Sequence, residues 1–311
     1  MLVLSAGSGA ERRARDLVGV DETGLAERVD APSLPYFRVR ISPDGTHAAI
    51  DMTDFENIYV LNLERGGTPR LLTFADESGF FPIWSPDGRD LIYTNRDDAE
   101  AGLARKNIDG IGPARTFVSR VELIFPWTVT SDGATLLATS FGAETTGLDL
   151  FTVSLNEPHE FDLLIDDPGS QAEATLSPDG KWLAYSSNET GVTEIYVRPY
   201  PSLAGKWQVS TGYGLGPRWD RDGKRLYYRS SDSMMAVDIE ATASSFVAGE
   251  PRELFRTPYH DNATNSAYDR SPIDGRFLMI KLHTRSGESD ELMVVDNWTT
   301  EIARLAPAAD R

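Results

Sequence analysis

The chain has 311 residues, no cysteine, a formal net charge of −18, and a composition that is 40% hydrophobic and 25% charged. The missing cysteines exclude disulfides, thiolate nucleophiles and cysteine metal sites. The negative charge argues against nucleic acid or an anionic membrane surface as the main partner. No stretch approaches the roughly 18 consecutive apolar residues of a membrane-spanning helix.

The first 35 residues contain three short strand patterns, MLVLSA, RDLVGVDET and LAERVDAP. They look like the second, third and fourth strands of a four-stranded unit that lacks its first strand. Few apolar residues stand at the N-terminus and no basic region precedes them, which is a poor signal-peptide pattern.

A strand followed by the dipeptide Asp-Gly then recurs six times. The spacing between successive copies ranges from 43 to 52 residues. A period near 45 residues is typical of one four-stranded propeller blade. The aspartates are Asp44, Asp87, Asp132, Asp179, Asp222 and Asp274.

Each repeat predicts four strands. The first strand ends in an apolar residue, and a turn of the Ser-Pro-Asp-Gly type follows, in which proline sets φ, aspartate caps the turn and glycine adopts φ > 0. An alternating strand such as KWLAYSSN comes next, then a third such as EIYVRPYP and a shorter fourth such as KWQVST. Helical periodicity is almost absent, so the sequence predicts an all-β propeller.

The C-terminal part predicts a first, second and third strand, SAYDRS, RFLMIKL and ELMVVDN, and a short helical tail at 297–311. In this sixth repeat the Asp-Gly lies one residue later, which predicts a shifted bulge. Arg270 stands where the other repeats have an apolar residue.

Residues 1–311 are therefore expected to form a single propeller domain in which residues 1–35 close the ring. Two rings fit the six turns and the partial N-terminal repeat. In a six-bladed ring the N-terminal strands complete the last blade, and in a seven-bladed ring they form a blade of their own. The length divided by seven is about 44 residues, close to the repeat period, which favours seven blades.

The repeats resemble the PD40 class of WD40-like propeller repeats, which is found in the TolB propeller domain and in the regulatory propellers of prolyl-oligopeptidase-type enzymes. The Ser-Pro-Asp-Gly units that begin at Ser42, Ser85 and Ser177 match this class closely. The resemblance covers nearly the whole chain and implies a bacterial repeat protein with a periplasmic or extracytoplasmic location. It is informative about fold more than function, because propellers host many activities.

A closer likeness links the chain to the C-terminal propeller of bacterial membrane serine/threonine kinases. It rests on LSPDGKWLAYSSNETGVTEIYVRPYP, GKWQVSTGYGLGPRWDRDGKRLYYRS and NWTTEIARL. The chain contains neither the kinase glycine loop, the catalytic loop nor the Asp-Phe-Gly motif, so the likeness implies a sensor or docking role without kinase activity. It also leads us to expect a regulatory fragment of a larger protein.

No catalytic constellation is evident in the sequence, and we predict no catalytic residue, metal site or cofactor. The four histidines do not form a metal-ligand pair at short spacing, and the nucleophile elbow Gly-x-Ser-x-Gly is absent. The tryptophans at strand positions are expected in the core between blades. They are Trp84, Trp182, Trp207 and Trp219.

The first strand of each blade lines the central channel, so polar and aromatic residues of these strands are the candidate ligand-binding residues. Converging arginines would bind a carboxylate or phosphate by bidentate hydrogen bonds, or would pair with nearby acids and stabilise the ring. The candidates are Arg38, Arg40, Trp127, Glu173, Arg218, Tyr268, Asp269 and Arg270.

The favoured prediction is a non-enzymatic propeller that binds a protein or peptide partner on one face or at the channel mouth. The alternative is a lyase or hydrolase with a small acidic or sugar ligand in the channel, which would require His260 or His283 close to acids or a metal. The kinase-like resemblance leaves a regulatory fragment of a kinase or peptidase as a third reading.

Overall fold

The computed structural model describes residues 14–74, 77–96, 101–119, 123–141, 147–242, 245–256, 259 and 267–282. This part of the chain forms 25 β-strands and no helix. In chain order the strands are β1 (Arg15–Val20), β2 (Ala26–Arg28), β3 (Tyr36–Ile41), β4 (His47–Met52), β5 (Ile58–Asn62), β6 (Arg70–Leu71), β7 (Gly79–Trp84), β8 (Asp90–Asn95), β9 (Gly102–Asn107), β10 (Arg115–Ser119), β11 (Ile124–Val129), β12 (Thr135–Phe141), β13 (Leu148–Ser154), β14 (Phe161–Ile165), β15 (Gln171–Leu176), β16 (Trp182–Ser187), β17 (Glu194–Pro199), β18 (Trp207–Gln208), β19 (Leu215–Trp219), β20 (Arg225–Ser230), β21 (Ser233–Ala241), β22 (Phe246–Ala248), β23 (Arg252–Arg256), β24 (Tyr268–Arg270) and β25 (Phe277–Leu282).

The strands form six antiparallel sheets in a propeller arrangement, which confirms the predicted fold class. Blades I to IV contain β3–β6, β7–β10, β11–β14 and β15–β18. Blade V contains β19, β20 and β21, and two short strands, β22 and β23, pair with different parts of β21. Blade VI has the order β24, β25, β1, β2, so it joins the two ends of the described chain.

The preference for seven blades was wrong, and the six-bladed alternative is the one observed. Strand β1 pairs along its whole length with β25, from Arg15 opposite Leu282 to Val20 opposite Phe277. This place had been predicted for ELMVVDN, a segment that lies outside the described residues, as does the predicted helical tail. The pairing of the two chain ends removes an open sheet edge. Dividing the chain length by the repeat period takes no account of such pairing and therefore gave the wrong number of blades.

The six Asp-Gly turns have the predicted chemistry. In blade IV the Ser177 hydroxyl donates to Asp179 Oδ1 over 2.6 Å, and the Lys181 backbone N–H donates to the same oxygen over 3.2 Å. All six turn glycines have φ between 69° and 74°, in the left-handed region that favours glycine. They are Gly45, Gly88, Gly133, Gly180, Gly223 and Gly275.

The sixth turn accommodates its extra residue within the turn. The Gly275 N–H donates to the carbonyl of Ser271, four residues back, whereas Gly45 donates to Ser42, three residues back. The ladder between β24 and β25 is regular over the described residues, so the predicted shifted bulge is not found there.

Neighbouring blades are joined by apolar packing and by hydrogen bonds that recur at equivalent positions. One cluster combines Leu17 and Ile280 of blade VI with Val39 and Ile50 of blade I. In blades I to IV, the residue nine positions after the start of the turn is polar and lies on the second strand. Its side chain forms a hydrogen bond with the inner strand of the next blade. The contacts are Asp51 Oδ2 with Phe81 N (2.8 Å), Thr94 Oγ1 with Ile124 O (2.5 Å), Thr139 Oγ1 with Gln171 O (3.4 Å), and Ser186 Oγ with Gly216 N (3.2 Å).

Candidate functional site

The inner strand of each blade ends at an Asp-Gly turn, and we call the face that carries these turns the turn face. The residue two positions before the start of each turn is here called the mouth position, and the residue four positions before it the deep position. The mouth residues are Arg40, Ile83, Thr128, Thr175, Arg218 and Asp269, and the deep residues are Arg38, Phe81, Pro126, Glu173, Gly216 and Ala267.

All six mouth residues line one cavity of ≈ 250 Å³ on the turn face, the mouth cavity. Trp127 and Trp84 contribute to its wall. Each mouth residue comes from a different blade, because the repeat places the same register position of every inner strand at the same height in the channel. The cavity is therefore built by all six blades together.

Arg40 is the most buried charged residue of this cavity, with 6% of its surface exposed. Its Nη1 donates to the backbone carbonyls of Val39 (3.0 Å) and Tyr268 (3.2 Å). Within the described part of the chain it forms no ion pair with a carboxylate. The pKa of Arg40 is lowered to about 9. Burial is the largest cause, and the positive charges of Arg218 and Arg38 also contribute.

Arg218 and Asp269 connect three blades at the mouth. Arg218 Nε lies 3.3 Å from Asp269 Oδ1, and its Nη1 donates to the Pro217 carbonyl over 2.7 Å. Asp269 Oδ2 accepts the backbone N–H of Ile41 over 2.8 Å. Asp269 is thus held by blade V and blade I, and it is the acidic member of the six mouth residues.

The mouth also holds two threonines that the sequence analysis did not select. The side chains of Thr128 and Thr175 are partly exposed to the cavity. No hydrogen bond joins either hydroxyl to another described residue, so both are available to a ligand. Their register position, two residues before the turn in consecutive repeats, is the signal that would have identified them.

The deep layer, made by the six deep residues, is packed instead of open. The Arg38 guanidinium lies 3.5 Å from the centre of the Phe81 ring and 5.2 Å from that of Trp127, and its side chain is fully buried. Burial lowers the pKa of Arg38 to about 10, while the charges of Asp51 and Glu173 act in the opposite direction. Arg38 is therefore a buried cation with acids around it.

Asp51 is the acid paired with Arg38 across β3 and β4, and it was missed in the sequence. Burial raises the pKa of Asp51 to about 6, although Arg38 and the Phe81 N–H both favour the charged form. An aspartate in the otherwise apolar pattern HAAIDM is the signal that could have marked it.

Bulges give the deep layer an unusual backbone. Phe81, Glu173 and Gly216 occupy the deep position of three blades with φ of 59°, 54° and 65°. In each case the register with the second strand shifts at that point. A non-glycine residue in this region costs about 1–3 kcal/mol and persists only where the surrounding packing holds it.

The other predicted ligand residues lie in the channel wall or between blades. Trp127 Nε1 donates to Thr139 Oγ1 (2.5 Å), and the Tyr268 hydroxyl donates to the Gly216 carbonyl (2.6 Å). Arg270 lies between blades V and VI instead of in the mouth cavity. It pairs with Asp220 and Glu22 and covers the Tyr227 ring, 4.4 Å from its centre.

The tryptophans lie in the packing between strands and blades. Trp84 Nε1 donates to the Arg40 carbonyl of the preceding blade over 2.8 Å, and Trp219 Nε1 contacts the Thr175 carbonyl over 3.4 Å in the same way. Trp182 and Trp207 pack edge to face, with ring centres 5.7 Å apart.

Two of the four histidines are described, and both lie in turns or strand ends. His47 contacts Thr46 Oγ1 over 2.7 Å, and His159 Nδ1 lies 3.0 Å from the Ser154 carbonyl. His260 and His283, on which the enzymatic alternative depends, lie outside the described residues. Among the residues that are described, no three metal-ligating side chains form a group, and no helix is long and apolar enough to cross a membrane.

No family model matches the sequence, and no curated protein matches it. The solved structures similar to the chain include a protein of Agrobacterium tumefaciens assigned to TolB, with a TM-score of 0.71 and 15% identity over 88% of this chain and 99% of that one. TolB of Acinetobacter baumannii has a TM-score of 0.56 and 18% identity over 77% of this chain and 65% of that one.

An oligogalacturonate lyase of Vibrio parahaemolyticus has a TM-score of 0.54 and 14% identity over 86% of this chain and 97% of that one. At these identities the likeness shows the fold alone. The protein is thus a six-bladed β-propeller whose structural neighbours include TolB propellers; a link to the kinase propellers is not among these likenesses.

Proposed function

We propose that this propeller is a non-enzymatic binding module for a protein or peptide, and that its ligand enters the mouth cavity. The observation that carries the proposal is the convergence of one side chain from each blade on a cavity of ≈ 250 Å³. A few polar groups set in a concave, partly apolar wall are typical of binding sites, because the polar groups orient the ligand and the wall excludes water. The likeness to TolB propellers supports the same role.

The resemblance to the propellers of membrane kinases extends the proposal to a sensor or docking role within a longer bacterial protein. In that setting the propeller would lie on the periplasmic or extracytoplasmic side, with residues 1–311 acting as one domain. The net charge of −18 favours protein over nucleic acid as the partner.

A second candidate is an enzyme that acts on a small acidic or sugar ligand in the channel. The cationic pair Arg40 and Arg218 in a small cavity favours an acidic ligand, and one structural neighbour is a lyase of oligogalacturonate. Incubation with oligogalacturonate tests this alternative directly. Product formed by the wild type and lost after Arg40→Met would favour the enzyme over the binding module.

The main proposal is tested by affinity capture from the bacterium that encodes the chain, followed by calorimetry with the captured protein or a peptide of it. Three baits are compared: the wild type, the double variant Arg40→Met/Arg218→Gln, and the control variant Arg256→Gln. Arg256 is exposed on the outer strand of blade V and does not line the mouth cavity.

We expect a partner that binds the wild type and the control with equal affinity and the double variant at least tenfold more weakly, since charge-assisted contacts are worth more than about 1.4 kcal/mol each. A partner that binds all three baits equally would place the binding surface elsewhere and overturn the assignment to the mouth.

A further inference from the structure

We infer that the mouth cavity is an anion site, and that the group it takes is a single carboxylate held between Arg40 and Arg218. The inference rests on the proposed function for its location, and it adds the chemical class of the ligand. Three observations carry it: an arginine that is buried without an ion pair to a described acid, a net positive charge of the six mouth residues, and two hydroxyls that bond to no described residue.

The first observation is the state of Arg40. A guanidinium has five N–H donors and is charged at every physiological pH, so its burial is costly unless an anion accompanies it. With 6% exposure, Arg40 uses one nitrogen for two backbone carbonyls, and no carboxylate lies within ion-pair distance in the described residues. Arg40 lines the cavity, and its other N–H donors form no hydrogen bond with a described residue.

The second observation is the charge balance of the mouth. Two of the six mouth residues are cationic and one is acidic, and Asp269 is already bonded to Arg218 and to the Ile41 N–H. The six mouth residues therefore carry a net charge of +1, in a chain whose net charge is −18, and Glu173 of the deep layer is the other acid that acts on Arg40. The pKa of Arg40 is lowered by burial and by the charges of Arg218 and Arg38, while Asp269 and Glu173 act in the opposite direction.

The third observation is the composition of the remaining wall. Thr128 and Thr175 present hydroxyls that bond to no described residue, and they can donate to carboxylate oxygens. Ile83, Trp84 and Trp127 form an apolar side. A net charge of +1 at the mouth, with Asp269 as a neighbouring negative charge, matches a monoanion with an apolar body better than a phosphate dianion.

The carboxylate can belong to a chain terminus or to a free small acid, and the test separates these sources. Binding to the purified chain is measured by calorimetry and by the melting temperature with four probes. They are N-acetyl-alanyl-alanine, its C-terminal amide, acetate and inorganic phosphate.

We expect the free-acid peptide to bind saturably and its amide at least tenfold more weakly, because the amide cannot form the charge-assisted pair. Acetate binding as tightly as the peptide would assign the site to free small acids. Phosphate binding more tightly than either carboxylate would overturn the assignment of a monoanionic carboxylate.

Two mouth variants are expected to change the affinity for the peptide in opposite directions. Partial unfolding of the variants would lower the affinity in both. Arg40→Met is expected to weaken the peptide at least tenfold. Asp269→Asn is expected to tighten it several-fold, because the amide oxygen still accepts the Ile41 N–H while the negative charge is lost. Arg256→Gln serves as the control without effect, and Arg218→Gln replaces Arg40→Met if circular dichroism shows that the latter is misfolded.

Equal affinity in the wild type and Arg40→Met, or no saturable binding of either carboxylate to the wild type, would overturn the anion site. The proposed function would still stand if a captured protein partner depended on the mouth residues, so the two failures are distinguishable.

Discussion

Arg38 and Arg40 lie two residues apart on the same strand, and both are buried, yet they occupy different surroundings. Arg38 lies in the deep layer against two aromatic rings, with Asp51 and Glu173 as nearby acids. Arg40 lies at the mouth, where the charges of Arg218 and Arg38 lower its pKa by more than those of Asp269 and Glu173 raise it. The same residue type therefore occupies two environments in one channel, a packed deep layer and a mouth that lines a cavity.

The largest effect is expected from Arg38→Met. Removing one member of a buried charge cluster leaves the others uncompensated, and this costs about 3–5 kcal/mol of the free energy of unfolding. Arg40→Met should cost less, about 1–3 kcal/mol, because it removes two hydrogen bonds to backbone carbonyls but breaks no ion pair with a described carboxylate. Urea denaturation measures both, and equal losses would erase the distinction between the two levels.

The second effect is the pH dependence contributed by Asp51. Its pKa is raised from 3.8 to about 6 in the folded chain, so between these values the folded state binds more protons than the unfolded state. Stability contributed by this group is therefore present below about pH 4 and lost as the pH rises to about 6, by roughly 3 kcal/mol.

The comparison of wild type and Asp51→Asn isolates this contribution, since the amide oxygen still accepts the Phe81 N–H. The free energy of unfolding of the wild type should fall relative to the variant between about pH 4 and 6. Parallel pH profiles of the two proteins would refute the raised pKa.

Arg270 is a third arginine to compare with Arg38 and Arg40, and it lies between blades V and VI, outside the mouth cavity. Arg270→Met loses the pairs with Asp220 and Glu22 but keeps apolar contact with Tyr227. We expect a loss of about 1.5–3 kcal/mol, the range for hydrogen bonds to charged groups, with carboxylate binding unchanged. Weaker binding in a variant of native melting temperature would show that the mouth extends to this interface.

The smallest effect is expected from Asp179→Ala in the turn of blade IV. The carboxylate accepts from Ser177 and Lys181, and its loss should cost about 0.5–2 kcal/mol by analogy with lost helix caps. Thermal unfolding and peptide binding are measured together. A loss of binding at unchanged stability would mean that this turn belongs to the ligand site.

Much of the blade could be predicted, because its signals are local. The turn before Trp182 needs a hydroxyl, an aspartate and a glycine within four residues, and each acts on the backbone next to it. Three of the six residues that line the mouth cavity could be selected from the sequence, and their role in binding stays a prediction. Arg40, Arg218 and Asp269 attract attention as charges, whereas Thr128 and Thr175 gain meaning only from a register shared by all the blades.

The repeat, the turns and the four-stranded blade could be read from the amino-acid sequence, since they follow from the preferences of neighbouring residues. The tertiary structure decided the number of blades, because the pairing of β1 with β25 joins residues more than 250 positions apart. It also decided the separate surroundings of Arg38 and Arg40. Apart from Arg38, which acts on Arg40 from the same strand, the charges that balance or oppose each guanidinium come from other strands and blades, and they meet only in the closed ring.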